Sequence, residues 1–188
     1  FTARIDYTDD YRDPRKGIRN ILYLDRQTAS SSSEPTFDVI TNDLQVYIPF
    51  LEKSTLVFNL TFSDANVRKE GETDLEVLKQ QSNYYSCDDT PSPESCRTTT
   101  LGNAINTMNI NKHGTSLYLG GPDRLRSYPQ QRFQGAHTPY FATEFRWNFS
   151  AADGDEIDLF FMKDLVEEMQ VAFFFEQGSV SETKSELG

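Results

Sequence analysis

Glu144 and Glu176 are the two carboxylates whose positions suggest a joint chemical role. Each lies in a short segment whose side chains alternate between polar and apolar, and each falls on the polar side of its segment. Two acids that face one cavity can act as the acid and the base of a glycosidase. An arginine nearby would keep both acids ionised, which suits an ion-pair clamp better than a proton donor.

Other residue sets with possible metal or nucleophile chemistry have weaker patterns. The acidic run at 153–158 (Asp153, Asp155, Glu156, Asp158) resembles a calcium loop but lacks the pattern that ends in a bidentate glutamate, so we interpret it as a solvated turn between strands. The sequence contains no glycine-rich phosphate loop and no serine in a nucleophile elbow. It therefore predicts no catalytic residue, no metal site, no cofactor and no enzyme activity.

Cys87 and Cys96 are the cysteines of the chain, and they bracket the segment DDTPSPES. Proline, serine and aspartate favour a turn, so in an oxidising compartment the pair predicts a disulfide that contributes about 2 to 3 kcal/mol by loop closure. A zinc site would need two further ligands. The histidines, His113 and His137, lack ligand spacing and are interpreted as solvated or loop-packing imidazoles. A bridged pair would place this loop outside the cell or in the periplasm.

Segments in which polar and apolar side chains alternate must position these residues. The predicted strands lie near 1–8, 18–26, 37–49, 55–63, 140–149 and 169–176. In the strand at 140–149 one side carries large rings that suit lipid, and the other carries charged and amide groups. The rings are Phe141, Phe145, Trp147 and Phe149, and the polar groups are Glu144, Arg146 and Asn148. An arrangement with aromatic rings on the outside and charged groups on the inside is the inverse of that in a water-soluble protein.

A long loop at 64–139 separates the fourth and fifth predicted strands. Its one helical pattern is at 74–81, which we interpret as a helix packed within the loop, with a partner-binding helix as the alternative. A loop of this length counts against an ordinary compact domain, but it is expected of a surface loop on a barrel. The loop turns at 120–122 and then carries the segment LRSYP at 125–129.

Composition narrows the protein class. The chain has 188 residues and a formal net charge of -11, which argues against a nucleic-acid partner. No stretch approaches the roughly 20 consecutive apolar residues of a membrane helix, which excludes a helical membrane protein. A barrel strand needs only about 9 to 11 residues with one apolar side, so a mean hydropathy of -0.60 is compatible with a barrel. Because the sequence starts at Phe1 without a signal segment, we expect a processed product or an excerpt.

The LRSYP segment, followed by a strand with an inward glutamate, resembles the bacterial surface antigen superfamily. This superfamily comprises the BamA-type outer-membrane assembly proteins, the TamA-type translocation proteins and the two-partner secretion transporters. Its Leu/Val-Arg-Gly-Tyr/Phe motif lies at the tip of a long extracellular loop that folds back into the barrel. The matching residues are Leu125, Arg126, Ser127, Tyr128, Pro129 and Gly135. Ser127 replaces the family's glycine, and serine tolerates fewer backbone conformations.

The resemblance implies an all-β fold, in which the chain is a segment of an antiparallel transmembrane β-barrel with a long in-folded extracellular loop. Six strands cannot close a membrane barrel, whose smallest members have about eight, so the implied barrel is larger, with about 16 strands. The resemblance also implies a loop-to-barrel clamp, in which Arg126 meets Glu144 and Glu176. A guanidinium fork can be shared by two carboxylates, whereas three separate hydrated charges are the alternative.

The function implied by the resemblance is that of an assembly and insertion factor for outer-membrane β-barrel proteins. The alternatives are a polypeptide-secretion pore of the same superfamily and a noncatalytic surface scaffold or adhesin. The implied location is the outer membrane of a bacterium or of a bacterially derived organelle. The implied partners are outer-membrane lipid, unfolded outer-membrane proteins or a secreted polypeptide, and, as a further option, accessory lipoproteins.

Overall fold

The computed structural model describes residues 1–51, 53–89, 91–148 and 170–186. Its main element is one antiparallel sheet of six strands, in which each strand pairs with its neighbours in the sequence. The strands are β1 (Thr2–Thr8), β2 (Gly17–Gln27), β3 (Thr36–Pro49), β4 (Ser54–Lys69), β5 (His137–Asn148) and β6 (Gln170–Gly178). The prediction of an antiparallel, mainly β fold is confirmed at this level.

The strand boundaries differ most from the prediction at β4, which continues past residue 63 to Lys69. In this extension Asp64, Asn66 and Arg68 occupy the side that is apolar earlier in the strand. The side-chain pattern that predicts the first part of the strand therefore does not continue into the extension. β5 begins at His137, before the predicted start. Three predicted features lie outside the described residues, namely Phe149, Met169 and the acidic run at 153–158.

The connection between β4 and β5 holds more helix than its sequence predicts. The predicted helix is present as α1 (Leu75–Gln81), and a 3-10 helix (Tyr84–Asp89) and a long helix, α2 (Pro93–His113), follow it. The sequence does not predict α2, because it buries only Ala104 and Asn111 and has no continuous apolar stripe. Within the described residues, no helix is both long and apolar enough to cross a membrane. We refer to these three helices as the helical unit.

Asn111 attaches the helical unit to the loop between β2 and β3. Its side-chain amide donates to the carbonyl oxygens of Glu72 at 2.6 Å and Ser33 at 3.3 Å. Its backbone carbonyl accepts from the N–H of Gly71 at 3.1 Å. This buried side chain is therefore a hydrogen-bonding junction rather than part of an apolar core.

The turn between β1 and β2 is built on backbone amides that converge on Asp9. Its carboxylate accepts from the N–H groups of Lys16 at 3.0 Å and Arg15 at 2.9 Å, and these bonds lower the pKa of Asp9 below its ordinary value. Gly17 closes the turn with a φ of 120°, and a Cβ there would collide with the carbonyl oxygen of Tyr7. Glycine is therefore required at this position.

The sheet has an exposed face that is rich in apolar side chains, which we call the apolar face. Cross-strand partners share a face, so the strand register assigns each side chain to one side. The exposed large hydrophobic residues on the apolar face are Ile5, Tyr7, Ile18, Leu24, Ile40, Ile48, Leu60, Phe62, Trp147, Phe173 and Phe175. Each of the six strands contributes at least one of these side chains.

The opposite side, which we call the polar face, is buried over much of β3, β4 and β5. Its buried residues are Phe37, Thr41, Asp43, Tyr47, Thr55, Val57, Thr61, Ser63, Ala65, Thr138, Tyr140, Ala142 and Asn148. Residues 114–136, which we call the covering loop, lie over this face. Leu119 of the loop packs against Tyr140 and Ala142, and Ala136 packs against Phe37. The protein therefore buries the polar side of its three middle strands, β3 to β5, and exposes the apolar side.

Candidate functional site

The covering loop is joined to the polar face by hydroxyl groups. The hydroxyls of Ser116 and Thr138 share a hydrogen bond of 2.8 Å, and Thr138 donates to the carbonyl oxygen of Leu117 at 2.9 Å. The N–H of Leu117 donates to Ser63 Oγ at 3.2 Å, which continues the contact onto β4. These buried polar groups have partners, so the loop can cover a polar surface without leaving them unsatisfied.

A short hairpin within the covering loop presents its tip, residues 121–131, to the sheet. Leu119 and Phe133 form an antiparallel bridge with two backbone hydrogen bonds of 2.9 and 3.0 Å. Gly120 has a φ of 101°, and a Cβ there would collide with the carbonyl oxygen of Pro129. The glycine turn is therefore needed to bring the two sides of the hairpin together.

Arg126 lies in the tip and contacts both predicted carboxylates. Its Nε donates to Glu176 Oε1 at 2.9 Å, and its backbone N–H donates to Glu176 Oε2 at 2.8 Å. A terminal guanidinium nitrogen lies 3.5 Å from Glu144 Oε2. The guanidinium carbon also lies 3.6 Å from the centre of the Phe174 ring, which adds a cation–π contact. The structure thus brings Arg126, Glu144 and Glu176 together.

Both carboxylates have partners besides Arg126. Glu176, whose side chain is 6% exposed, also accepts from the hydroxyl of Tyr140 at 2.9 Å. Glu144 accepts from Nε of Arg146 at 2.7 Å. Each carboxylate is therefore held by more than one donor. This arrangement suits a clamp that holds the loop tip to β5 and β6.

Ser127, which stands where the motif of the resembled superfamily has glycine, does not have a positive φ angle. Among the described non-glycine residues of the tip, Leu125 and Gln131 have positive φ angles, of 52° and 55°, and Ser127 does not. The left-handed residue of the motif is Leu125, whose side chain is buried with Leu119. The backbone conformation at this position is therefore one that serine adopts without strain.

The remaining motif residues pack the hairpin against its surroundings. The Tyr128 ring lies edge-on to Phe133, with ring centroids 5.0 Å apart. The Pro129 carbonyl fills the space left by the missing side chain of Gly120. Gly135 faces the chain just after β6, where a Cβ would lie 2.8 Å from a carbonyl oxygen. These residues set the shape of the loop rather than providing reactive groups.

Arg124 makes a second ion pair, which the sequence analysis does not predict. Its terminal nitrogen donates to Asp43 Oδ2 on β3 at 3.1 Å, and the Asp43 side chain is only 8% exposed. Two features of the sequence point to this pair: Asp43 lies on the polar side of its strand, and Arg124 precedes Arg126 by two positions. The tip therefore contacts β3 as well as β5 and β6.

A polar cavity of about 250 Å³ lies between the tip and the sheet. Its lining includes Arg126, Glu144, Glu176, Arg146, Asn59 and Gln45. A space of this size with several charged and amide groups can hold a small cluster of water molecules. The clamp therefore sits at a polar gap rather than in a dry apolar core.

Cys87 and Cys96 form a disulfide, with their Cα atoms 5.6 Å apart. The bridge connects the 3-10 helix to the first turns of α2, and Cys87 is completely buried. The histidines lie elsewhere: His113 ends α2, and His137 Nδ1 is 2.8 Å from Asp64 Oδ1. In the described ranges, no group of three or more metal-ligating side chains could hold a metal ion.

Replacing both Cys87 and Cys96 with serine should loosen the helical unit and leave the sheet intact. Removal of this short covalent loop should cost about 2 to 3 kcal/mol of local stability. Native-state hydrogen exchange should show faster exchange of the α2 amides, while the amides of β3 and β4 serve as internal controls. Unchanged exchange in α2 would show that the bridge does not stabilise the unit.

The covering loop thus reaches β3, β5 and β6 through the ion pairs of two arginines, and the predicted motif residues all lie within it. The polar cavity and the inverted sheet surround this contact. These features are the basis for a functional proposal. No protein-family model matches the chain, and a search of curated proteins found no significant match.

Proposed function

We propose that the chain forms part of the wall of an outer-membrane β-barrel, with the covering loop folded into the lumen. The inverted sheet carries this proposal. Phe62, Phe173 and Phe175 lie on the apolar face with 51%, 65% and 57% of their surface exposed. In water such an apolar face would promote association, whereas in lipid it is the expected outer surface of a barrel. The location would be a bacterial outer membrane or that of a bacterially derived organelle.

The two edges of the sheet support a barrel larger than six strands. Among the described residues, β1 and β6 each pair with one neighbouring strand. An unpaired backbone group in hydrocarbon costs several kcal/mol, so both edges would need further strands from the same protein or from other subunits. About 16 strands in total would match the superfamily that the loop motif resembles.

Within this location, insertion of other outer-membrane β-barrel proteins is the function that we favour. The arginine clamp supports it, since Arg126 fixes the loop tip to carboxylates on the two strands that follow, as the superfamily resemblance implies. The substrates would be unfolded outer-membrane proteins. Outer-membrane lipid and accessory lipoproteins would be the other partners.

Two other functions have support in particular features. The polar cavity beneath the tip favours a secretion pore in which the loop acts as a movable plug. The disulfide-bonded helical unit favours a surface scaffold or adhesin that binds a partner. Depletion of the protein discriminates among them: an assembly factor predicts general loss of outer-membrane proteins, a secretion pore predicts loss of one cargo, and an adhesin predicts neither.

Trp147 offers a direct test of the membrane location. It is the single tryptophan of this sequence, lies on the apolar face and is 43% exposed. In vesicles of brominated phospholipid, its fluorescence should fall by at least about half, because its ring would contact the acyl chains or the interface. The measurement compares the same protein in brominated and in unbrominated lipid.

The matched control moves the tryptophan to the polar face. The double variant Trp147→Phe, Tyr47→Trp places the indole at a position where the native side chain is 6% exposed. Bromine in the acyl chains should leave its fluorescence nearly unchanged. Equal quenching of both proteins, or no quenching of the native one, would reject the proposed barrel orientation.

A further inference from the structure

The tip of the covering loop is attached at both ends of a four-strand span. On one side Arg126 reaches Glu144 on β5 and Glu176 on β6. On the other side Arg124 reaches Asp43 on β3. Because the strand order is β3-β4-β5-β6, β4 lies between the two attachments. The tip therefore crosses β4 and links β3 to β5 and β6 through its two arginines.

We infer that Arg124 and Asp43 form a second anchor, which makes the loop tip a crossbar that fixes the curvature of the sheet from β3 to β6. Arg124 is thus a positioning residue, because it acts through the placement of the tip. Any effect of this anchor on movement of the loop or on insertion of other proteins rests on the proposed barrel function. Any change in curvature across this segment would have to break one of the two anchors first.

The burial of Asp43 makes this contact specific. Besides Arg124, its carboxylate accepts from the side-chain amide of Gln45 at 3.2 Å. The neutral amide cannot balance the charge of a carboxylate that is only 8% exposed. Removing the Arg124 guanidinium would therefore leave Asp43 as a buried anion without a cationic partner, and the tip would lose its attachment to β3.

The two anchors differ in strength. Nε of Arg124 is buried and has no hydrogen-bond partner among the described residues, so the pair with Asp43 rests on one terminal nitrogen. Arg126 instead makes two hydrogen bonds to Glu176 and also contacts Glu144 and the Phe174 ring. An arginine with more of its donors satisfied holds more firmly. The Arg124 anchor is therefore the one that opens first.

Limited chymotrypsin digestion of the intact protein can measure release of the tip, because Leu125 is a cleavable position within it, whereas Pro129 blocks cleavage after Tyr128. Arg124→Gln and Asp43→Asn should each raise the cleavage rate at Leu125 about tenfold, since cleavage requires the tip to leave the sheet. Arg124→Lys keeps the charge and should retain most of the protection. Arg132→Gln is the matched control, since Arg132 is exposed in the same loop and makes no ion pair with a described residue. It should cleave at the native rate.

A double-mutant cycle separates a specific anchor from general loosening. The double variant Asp43→Asn, Arg124→Gln should be cleaved about as fast as either single variant, because both changes break one contact. Adding Arg126→Gln to Arg124→Gln should instead increase cleavage well beyond either change alone. Native cleavage rates in both Arg124→Gln and Asp43→Asn would overturn the inference, and so would additive effects of these two changes. Circular dichroism should confirm the sheet in every variant.

The result is independent of the Trp147 test of the proposed function. A coupled pair of effects at Arg124 and Asp43 with no lipid quenching of Trp147 would keep the crossbar and reject the barrel. Lipid quenching of Trp147 with no coupling would keep the barrel and reject the crossbar. The two failures can therefore be distinguished in one set of proteins.

Discussion

Replacing Glu176 with alanine should destabilise the protein by about 3 kcal/mol, the low end of the range for breaking a buried ion pair. Its carboxylate, 6% exposed, accepts from the N–H and Nε of Arg126 and from the Tyr140 hydroxyl. The alanine variant leaves these donors without their acceptor. The low end applies because the Arg126 side chain is 33% exposed and water can partly replace the lost partner.

Urea unfolding of the protein in lipid vesicles can measure this change, with the fluorescence of Trp147 as the signal. Glu94→Ala is the matched control, because Glu94 is an exposed carboxylate in the helical unit. That variant should stay within about 0.5 kcal/mol of the native protein. If Glu176→Ala behaves like the control, then the clamp is too well hydrated to stabilise the loop.

The alternation of side chains was sufficient to predict the sheet, because strand periodicity is local. In β5 the even-numbered Glu144 and Arg146 and the odd-numbered Phe145 and Trp147 occupy opposite faces, as the alternation requires. The register on β6 then places Glu176 on the same face as Glu144. The side of each clamp carboxylate could therefore be predicted from the sequence, without knowledge of the fold.

The helical unit and the second anchor could not be predicted in this way. α2 contains Thr98, Thr99, Thr100 and Gly102, which are weak helix formers, and its exposed surface gives no apolar period. Its position depends instead on the disulfide and on the buried Asn111. The Arg124–Asp43 pair joins residues 81 positions apart, so only the folded loop brings them together.

Phe173→Arg should destabilise the protein in a bilayer by about 2 to 4 kcal/mol, the cost of an arginine on the lipid-facing side near the middle of the membrane. Phe173 lies on the apolar face opposite Phe145 and is 65% exposed. The predicted cost differs between a lipid-facing position and a position exposed to water. In a water-soluble protein, an arginine at so exposed a position would be nearly neutral, within about 0.5 kcal/mol.

Gln177→Arg is the control for depth in the membrane. Gln177 lies on the same strand and the same face as Phe173 but closer to the end of the sheet where the covering loop joins β5. Near the membrane interface an arginine costs only about 0 to 1 kcal/mol. Unfolding in vesicles should therefore separate the two variants, and their insertion yields should fall in the same order. Equal stabilities would mean that the apolar face does not contact hydrocarbon. Its rings would then have to be covered by protein, and the exposed position of Phe173 would mark an interface with another polypeptide.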